Sequence, residues 1–230
     1  MSYLLHIETA TPVCSIALSQ DNQIIAKKES SEQNIHSESL TCFIEELMKS
    51  QSIDFHALSA ISVSEGPGSY TGLRIGVSAA KGLCYALNIP LISVKTLHAL
   101  AYGMSQLLKD ESALYAPMLD ARRMEVYSAL YNFQGDEIEI VHAKIIDSDS
   151  FSSILKNQKM VFGGPGSEKC KSTIRSNNAI FINDFQASAE WMISIGYQKF
   201  CSNNFEDTAY FEPFYLKTFE AGKPHVKGLK

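Results

Sequence analysis

The chain has 230 residues, 45% of them hydrophobic and 20% charged, and 20 Lys+Arg against 25 Asp+Glu leave a formal net charge of −5. This balance excludes a disordered chain and a coiled coil. It also lacks the net basic footprint of a protein that grips nucleic acid by itself. The length suits two small domains of about 100 residues each.

The first residues read as an antiparallel meander. Short strands are expected over 4–7, 15–18 and 23–29, with the polar turn Glu8-Thr-Ala-Thr-Pro12 between the first two and Asp21-Asn22 between the next. The period then changes. Leu40, Phe43, Ile44, Leu47 and Met48 fall at i, i+3, i+4, i+7 and i+8, which predicts a helix over 35–50. A buried strand over 60–64 leads through Glu65-Gly-Pro-Gly into a second helix over 69–87, with Ser69 as N-cap and Asn88 and Pro90 as stop signals. A strand over 91–94 and a helix over 96–109 follow.

The second half repeats the opening. Strands are expected over 115–119, 125–131 and 137–146, with Asp120-Ala-Arg-Arg in the first turn. A short helix over 151–156, strands over 160–162 and 179–182, and a last helix over 187–201 complete it. The shared order of elements points to two related α/β domains packed together, without a residue-level repeat. The tail carries Lys217, Lys223, Lys227 and Lys230 against Glu220 alone. It reads as a solvated end, or as a basic arm that meets RNA phosphate.

The five cysteines, Cys14, Cys42, Cys84, Cys170 and Cys201, are scattered, odd in number and form no CxxC pair. That argues for reduced thiols in a cytosolic protein rather than a disulfide framework or a cysteine zinc site. His6 and Glu8 break the first apolar stretch, so it does not read as a signal peptide. No apolar run approaches the ~20 residues of a membrane span.

Three features could carry chemistry. The stretch Glu65-Gly-Pro-Gly-Ser-Tyr-Thr-Gly-Leu-Arg-Ile-Gly offers a helix N-terminus to an anion. Its spacing nevertheless fits neither G-x-G-x-x-G nor a P-loop. Gly72, Gly76 and Ala80 stand four apart, so the same stretch also reads as a close-packing stripe. Either the chain's own core or a second subunit could pack on it. The hydroxyls of Thr9 and Thr11, with Asp120 in the matching turn of the second half, would suit a nucleotide held between two such halves. His36 opens the first helix, but Leu40 stands where a second metal ligand on the same face would sit, so no metal site is read here.

Taken in order, Ile7-Glu-Thr-Ala-Thr, the Glu65 to Gly76 motif and Asp120-Ala-Arg-Arg-Met-Glu-Val-Tyr resemble the TsaB (YeaZ) family. The likeness runs from Met1 to about Tyr131. Beyond that it rests on Gly163-Gly-Pro-Gly and Glu212-Pro-Phe-Tyr-Leu-Lys. The resemblance implies an α/β fold of the two-domain actin-like, ribonuclease H-like kind. On that plan residues 1–110 form one subdomain with the partner-binding helices. Residues 111–215 form a smaller one, whose last helix can pack back on the first, and 216–230 a basic tail.

It further implies a non-catalytic, cytoplasmic subunit without cofactor or metal. Such a subunit pairs with TsaD, which transfers threonylcarbamoyl to adenosine 37 of ANN-decoding tRNAs. The ATPase TsaE joins the pair, tRNA is met only indirectly, self-association is possible and no membrane is involved. TsaD has a metal-binding histidine pair and a complete ATP-type site. Here Leu40 takes the place of the second histidine, and Glu8 replaces the usual aspartate.

The candidate interface is Leu40, Phe43, Leu47, Gly72, Leu73, Gly76, Val77, Ala80 and Leu83. The candidate vestigial nucleotide site is Thr9, Thr11, Asp120, Gly163 and Gly164. Two rival readings follow from the same residues. One is an ATP-hydrolysing or phosphoryl-transfer enzyme using Thr9, Thr11, Asp120 and Gly163 to Gly166. The other is a zinc metallopeptidase using His36, the activity that an older glycoprotease label for the family suggests.

Overall fold

The computed structural model describes residues 1–31 and 35–217, the side chains of residues 35–39 excepted. The side chain of His36 and the tail from residue 218 onward therefore lie outside the described residues.

Two five-stranded sheets form the frame. The first contains β1 (Tyr3–Glu8), β2 (Cys14–Gln20), β3 (Gln23–Ser30), β4 (Leu58–Gly66) and β5 (Leu91–Lys95), in the order β3-β2-β1-β4-β5. The β1, β2 and β3 meander is antiparallel, while β4 and β5 run parallel to β1. The second contains β6 (Leu114–Asp120), β7 (Glu125–Tyr131), β8 (Glu137–Ile145), β9 (Met160–Gly163) and β10 (Ala179–Phe181), in the order β10-β9-β6-β7-β8. Here too the meander is antiparallel and the last two strands are parallel to the first. One topology is thus built twice.

The helices differ between the halves. In the first, α1 (Ile35–Ser50) and α2 (Tyr70–Leu87) cover one sheet face. Leu40, Ile44, Leu47 and Met48 of α1 meet Leu5, Ile7, Ile16, Leu18, Ile61 and Val63 of the sheet. Ser69 caps α2 by accepting from the Gly72 N–H at 3.3 Å, and Asn88 ends it in the left-handed region with φ 54°. In the second half the corresponding crossovers shrink to α4 (Ser152–Leu155) and a 3₁₀ turn at Glu168–Cys170. Phe151, Leu155, Cys170 and Ile174 still close that face over Val126, Leu130 and Phe162.

Between the sheets runs α3 (Thr96–Leu108). Its Leu97, Leu100 and Met104 pack on Tyr115, Tyr131 and Val161 of the second sheet, while Ala99 joins Ala17 and Val94 of the first. The helix expected over 187–201 is a 3₁₀ turn at Ala189–Met192 followed by α5 (Ile193–Cys201). Ser188 breaks the continuity because its hydroxyl accepts from the Glu190 N–H.

The chain then returns to the first sheet. Tyr197 and Phe200 of α5 pack on Leu4, Ala60 and Ile92. Beyond α5 the backbone runs back along α2. Glu206 N–H donates to Leu91 O at 2.9 Å and Phe214 N–H to Glu65 O at 2.7 Å. Lys81 donates to the carbonyls of Ala209 and Phe211, and the Tyr215 ring packs 4.9 Å from Tyr70. Lys217 finally reaches Glu125 of the second sheet at 2.5 Å. Among the described residues no helix is long and apolar enough to cross a membrane.

Candidate functional site

The β1–β2 turn is packed against the start of α2. Ala10 O accepts the Ser69 N–H at 2.7 Å, and the Thr9 hydroxyl donates to Gly72 O at 2.8 Å. A Cβ at Gly68 would lie 2.6 Å from that of Ala10, one at Gly72 would strike Thr9 O, and one at Gly76 would strike the Thr9 hydroxyl. The glycines therefore admit the turn, not an anion and not another helix. The anion-cradle reading of this motif is corrected accordingly. At the head of α2 the N–H groups of Ser69, Gly72 and Leu73 and the Thr9 hydroxyl already have protein partners, and Thr9 and Thr11 are buried at 0% and 3% exposure.

Glu8 sits beneath this turn, fully enclosed. Burial pushes its carboxyl up to about 7, although the Ala10 N–H at 2.6 Å and the Ser64 hydroxyl pull the other way. His6, two residues earlier on the same face, is driven down to about 3 by burial. Its Nε2 meets Ser19 Oγ at 3.0 Å, whereas His6 Nδ1 and Ser62 Oγ have no hydrogen-bond partner. Both lie beneath α5, where a Cβ at Gly196 would come within 3.3 Å of each. Sequence reasoning missed this polar face, because Leu4 and Leu5 make β1 look apolar on both sides.

In the second half, Asp120 lies exposed at the β6–β7 turn. Burial alone would raise its carboxyl. Hydrogen bonds from Lys169 at 2.5 Å and from the Arg122 N–H at 2.8 Å outweigh that and hold it below its ordinary value. Gly163 and Gly164 are buried behind this turn. A Cβ at Gly163 would meet the Met104 side chain at 3.1 Å, and one at Gly164, whose φ is +101°, would meet Met118 O at 2.6 Å. The second turn, like the first, spends its polar groups and glycines on the protein itself. No group of three or more His, Cys, Asp or Glu among the described residues is placed to hold a metal.

The structure divides the expected interface residues. Leu40, Leu47, Gly72, Leu73, Gly76, Val77 and Ala80 are buried in this chain's own core, which corrects the expectation that the glycine stripe is free for a partner. Phe43 and Leu83 reach the surface only in part. The outward residues of α2 are instead Thr71, Arg74, Ser78, Gly82, Tyr85 and Ala86. Nothing lies within 4 Å of a Cβ at Gly82, and Tyr85 is 88% exposed. Next to them α1 presents Thr41, Cys42 and Glu45. Sequence periodicity locates such a row only after the buried row has been assigned.

A cavity of about 190 Å³ opens between the two units, lined by Glu65, Lys95, Leu97, Tyr131, Val141 and Phe214 among others. Lys95 is paired with Glu137 at 2.9 Å, and Glu137 also accepts from the Tyr131 hydroxyl at 3.3 Å. No motif in the sequence marks this cavity.

A meander extended by two parallel strands, built twice with a helix between the copies, defines an actin-like, ribonuclease H-like α/β protein. The first turn of each meander is packed against the chain's own glycines. The family model described as "TsaD: tRNA N6-adenosine threonylcarbamoyltransferase" matches residues 23–215. The chain belongs to this family, on its TsaB (YeaZ) branch. It is 28% identical over 228 residues to the tRNA threonylcarbamoyladenosine biosynthesis protein TsaB of Escherichia coli, covering 96% of each chain. It is 35% identical over 138 residues to the Bacillus subtilis protein of that name, covering 60% of this chain and 58% of the other. A Pseudomonas aeruginosa structure described as having similarity to peptidase YeaZ superposes with a TM-score of 0.81 at 24% identity, over 94% of this chain and 100% of that one, which shows the shared fold.

Proposed function

We propose that this chain is a non-catalytic cytoplasmic subunit of tRNA threonylcarbamoyladenosine biosynthesis that pairs with TsaD, with TsaE joining the pair. The observation that carries the reading is the packing of the Thr9 turn on Gly72 and Gly76. A phosphate at that turn would need the hydroxyl and backbone groups that α2 already occupies. The end-to-end likeness to a protein named for this biosynthesis supplies the pathway. The outward face of α1 and α2, open at Gly82 and bearing the exposed Tyr85, offers a surface on which a helix of a partner of the same fold can lie.

The test is reconstitution with TsaD and TsaE from the same organism on an ANN-decoding tRNA. Adenosine 37 is expected to be modified only when this chain is present, and equally well with Asp120→Asn. Magnesium-dependent ATP turnover by the chain alone, abolished in Asp120→Asn, would overturn the non-catalytic reading in favour of an enzyme.

A further inference from the structure

We propose that the cavity between the two units binds a small organic molecule carrying a primary ammonium group on a short apolar chain. Of the residues lining it, Glu65 and Lys95 alone carry full charge. Lys95 is paired with Glu137 at 2.9 Å, and none of the ion pairs among the described residues involves the Glu65 carboxylate. Glu65 is partly buried at the end of β4, so its charge is only partly hydrated. Glu65 lines the cavity together with Tyr131, whose hydroxyl is held above its ordinary value first by burial, then by Glu137 and also by Glu65. A carboxylate without a partner in a sheltered site favours a cation that brings hydrogen-bond donors.

Shape selects the rest of the ligand. Leu97, Val141 and Phe214 form apolar walls, and the volume admits a small molecule but not a nucleotide. Tyr131 and Phe214 add aromatic wall, with one face of the Tyr131 ring stacked on His98. Phe214 belongs to the returning C-terminal segment and is held there by its N–H on Glu65 O at 2.7 Å. The site therefore draws walls from both units and from this segment. Lys95 also lines the cavity, and its ammonium has three donors of which Glu137 takes one, so it can receive a carboxylate on the same molecule as well, and amino acids and simple amines share the required chemistry.

The experiment is titration of the full chain, without any partner, by saturation-transfer NMR. The probes are n-pentylammonium, hexanoate and L-norleucine. n-Pentylammonium is expected to bind saturably and hexanoate not to bind. Glu65→Gln should weaken n-pentylammonium about tenfold. Phe214→Ala, at a residue 41% exposed, should weaken it as well. Glu111→Gln, on the exposed loop after α3, should leave it unchanged. Tighter binding of L-norleucine, with the advantage lost in Lys95→Met, assigns an amino acid, and weaker binding assigns a simple amine. Absence of n-pentylammonium binding, equal binding of hexanoate, or indifference to Glu65→Gln overturns the proposal. Because no TsaD is present, none of these results bears on the subunit role.

Discussion

The Thr9 hydroxyl occupies the space that a side chain at residue 76 would need, and it donates to the Gly72 carbonyl one turn earlier on the same helix. Gly76 and Thr9 are thus a single packing unit 67 positions apart in sequence. Their contact joins the turn that bound nucleotides would require to the helix that carries the outward face.

That contact sets opposite expectations for two glycines of α2. Gly76→Ala gains about 1 kcal/mol of helix propensity but forces a methyl group into Thr9, an overpacking cost of roughly 1–3 kcal/mol. A net loss of stability is expected. A larger side chain at 76, such as Gly76→Leu, disturbs the monomer itself and is no clean probe of association. Gly82→Ala meets nothing within 4 Å and should stabilise by about 0.5–1 kcal/mol. Urea unfolding of the two variants checks the signs.

The pH dependence of stability has two buried sources that act against each other. Glu8 is raised from 4.5 to about 7, so its contribution is full below pH 4.5 and is lost as pH rises to about 7. His6 is lowered from 6.5 to about 3, so its contribution is full above pH 6.5 and is lost as pH falls toward 3. Between pH 4.5 and 6.5 the two slopes cancel. Relative to the unmodified chain, Glu8→Gln should lose roughly 2–3 kcal/mol on going from pH 6.5 to 4.5, and His6→Gln should gain a similar amount. Denaturant titrations at both pH values, compared variant by variant, separate them.

The C-terminal segment lies on α2 through two hydrogen bonds from Lys81. Lys81→Met keeps the apolar stem and removes both. Exchange of the Phe214 amide, which is bonded to Glu65 O, should accelerate about tenfold for roughly 1.4 kcal/mol of lost local stability. Amide exchange in α3, whose Leu100 and Met104 are core residues, should stay unchanged.

Much of the frame was legible from local signals. The apolar stripe from Leu40 to Met48 located α1, and Ser69 and Asn88 marked both ends of α2 where the structure has its caps. The repeated meander was visible because alternation and turn residues act over a few positions. What covers the glycine stripe was not legible, because Thr9 is separated from Gly76 by the whole of β2, β3, α1 and β4. Periodicity identifies a small face without naming its neighbour. The same holds for the returning segment beyond Cys201 and for the cavity it closes, both made by long-range contacts between Phe214 and Glu65. The short helix expected over 151–156 is present as Ser152–Leu155, whereas the 3₁₀ turn at Glu168–Cys170 is too brief for a helical period to register.

The central claim is association with TsaD through the outward face of α1 and α2. Its most direct test is titration calorimetry of this chain, and of Gly82→Arg, into TsaD from the same organism. Saturable one-to-one binding is expected of the unmodified chain, with loss of at least about 3 kcal/mol of affinity in Gly82→Arg, a charge placed in the middle of the contact. The variant should melt no lower than the unmodified chain, because the site is open to solvent and arginine is a better helix former than glycine. No heat of binding from the unmodified chain, or equal affinity from the variant, contradicts the account.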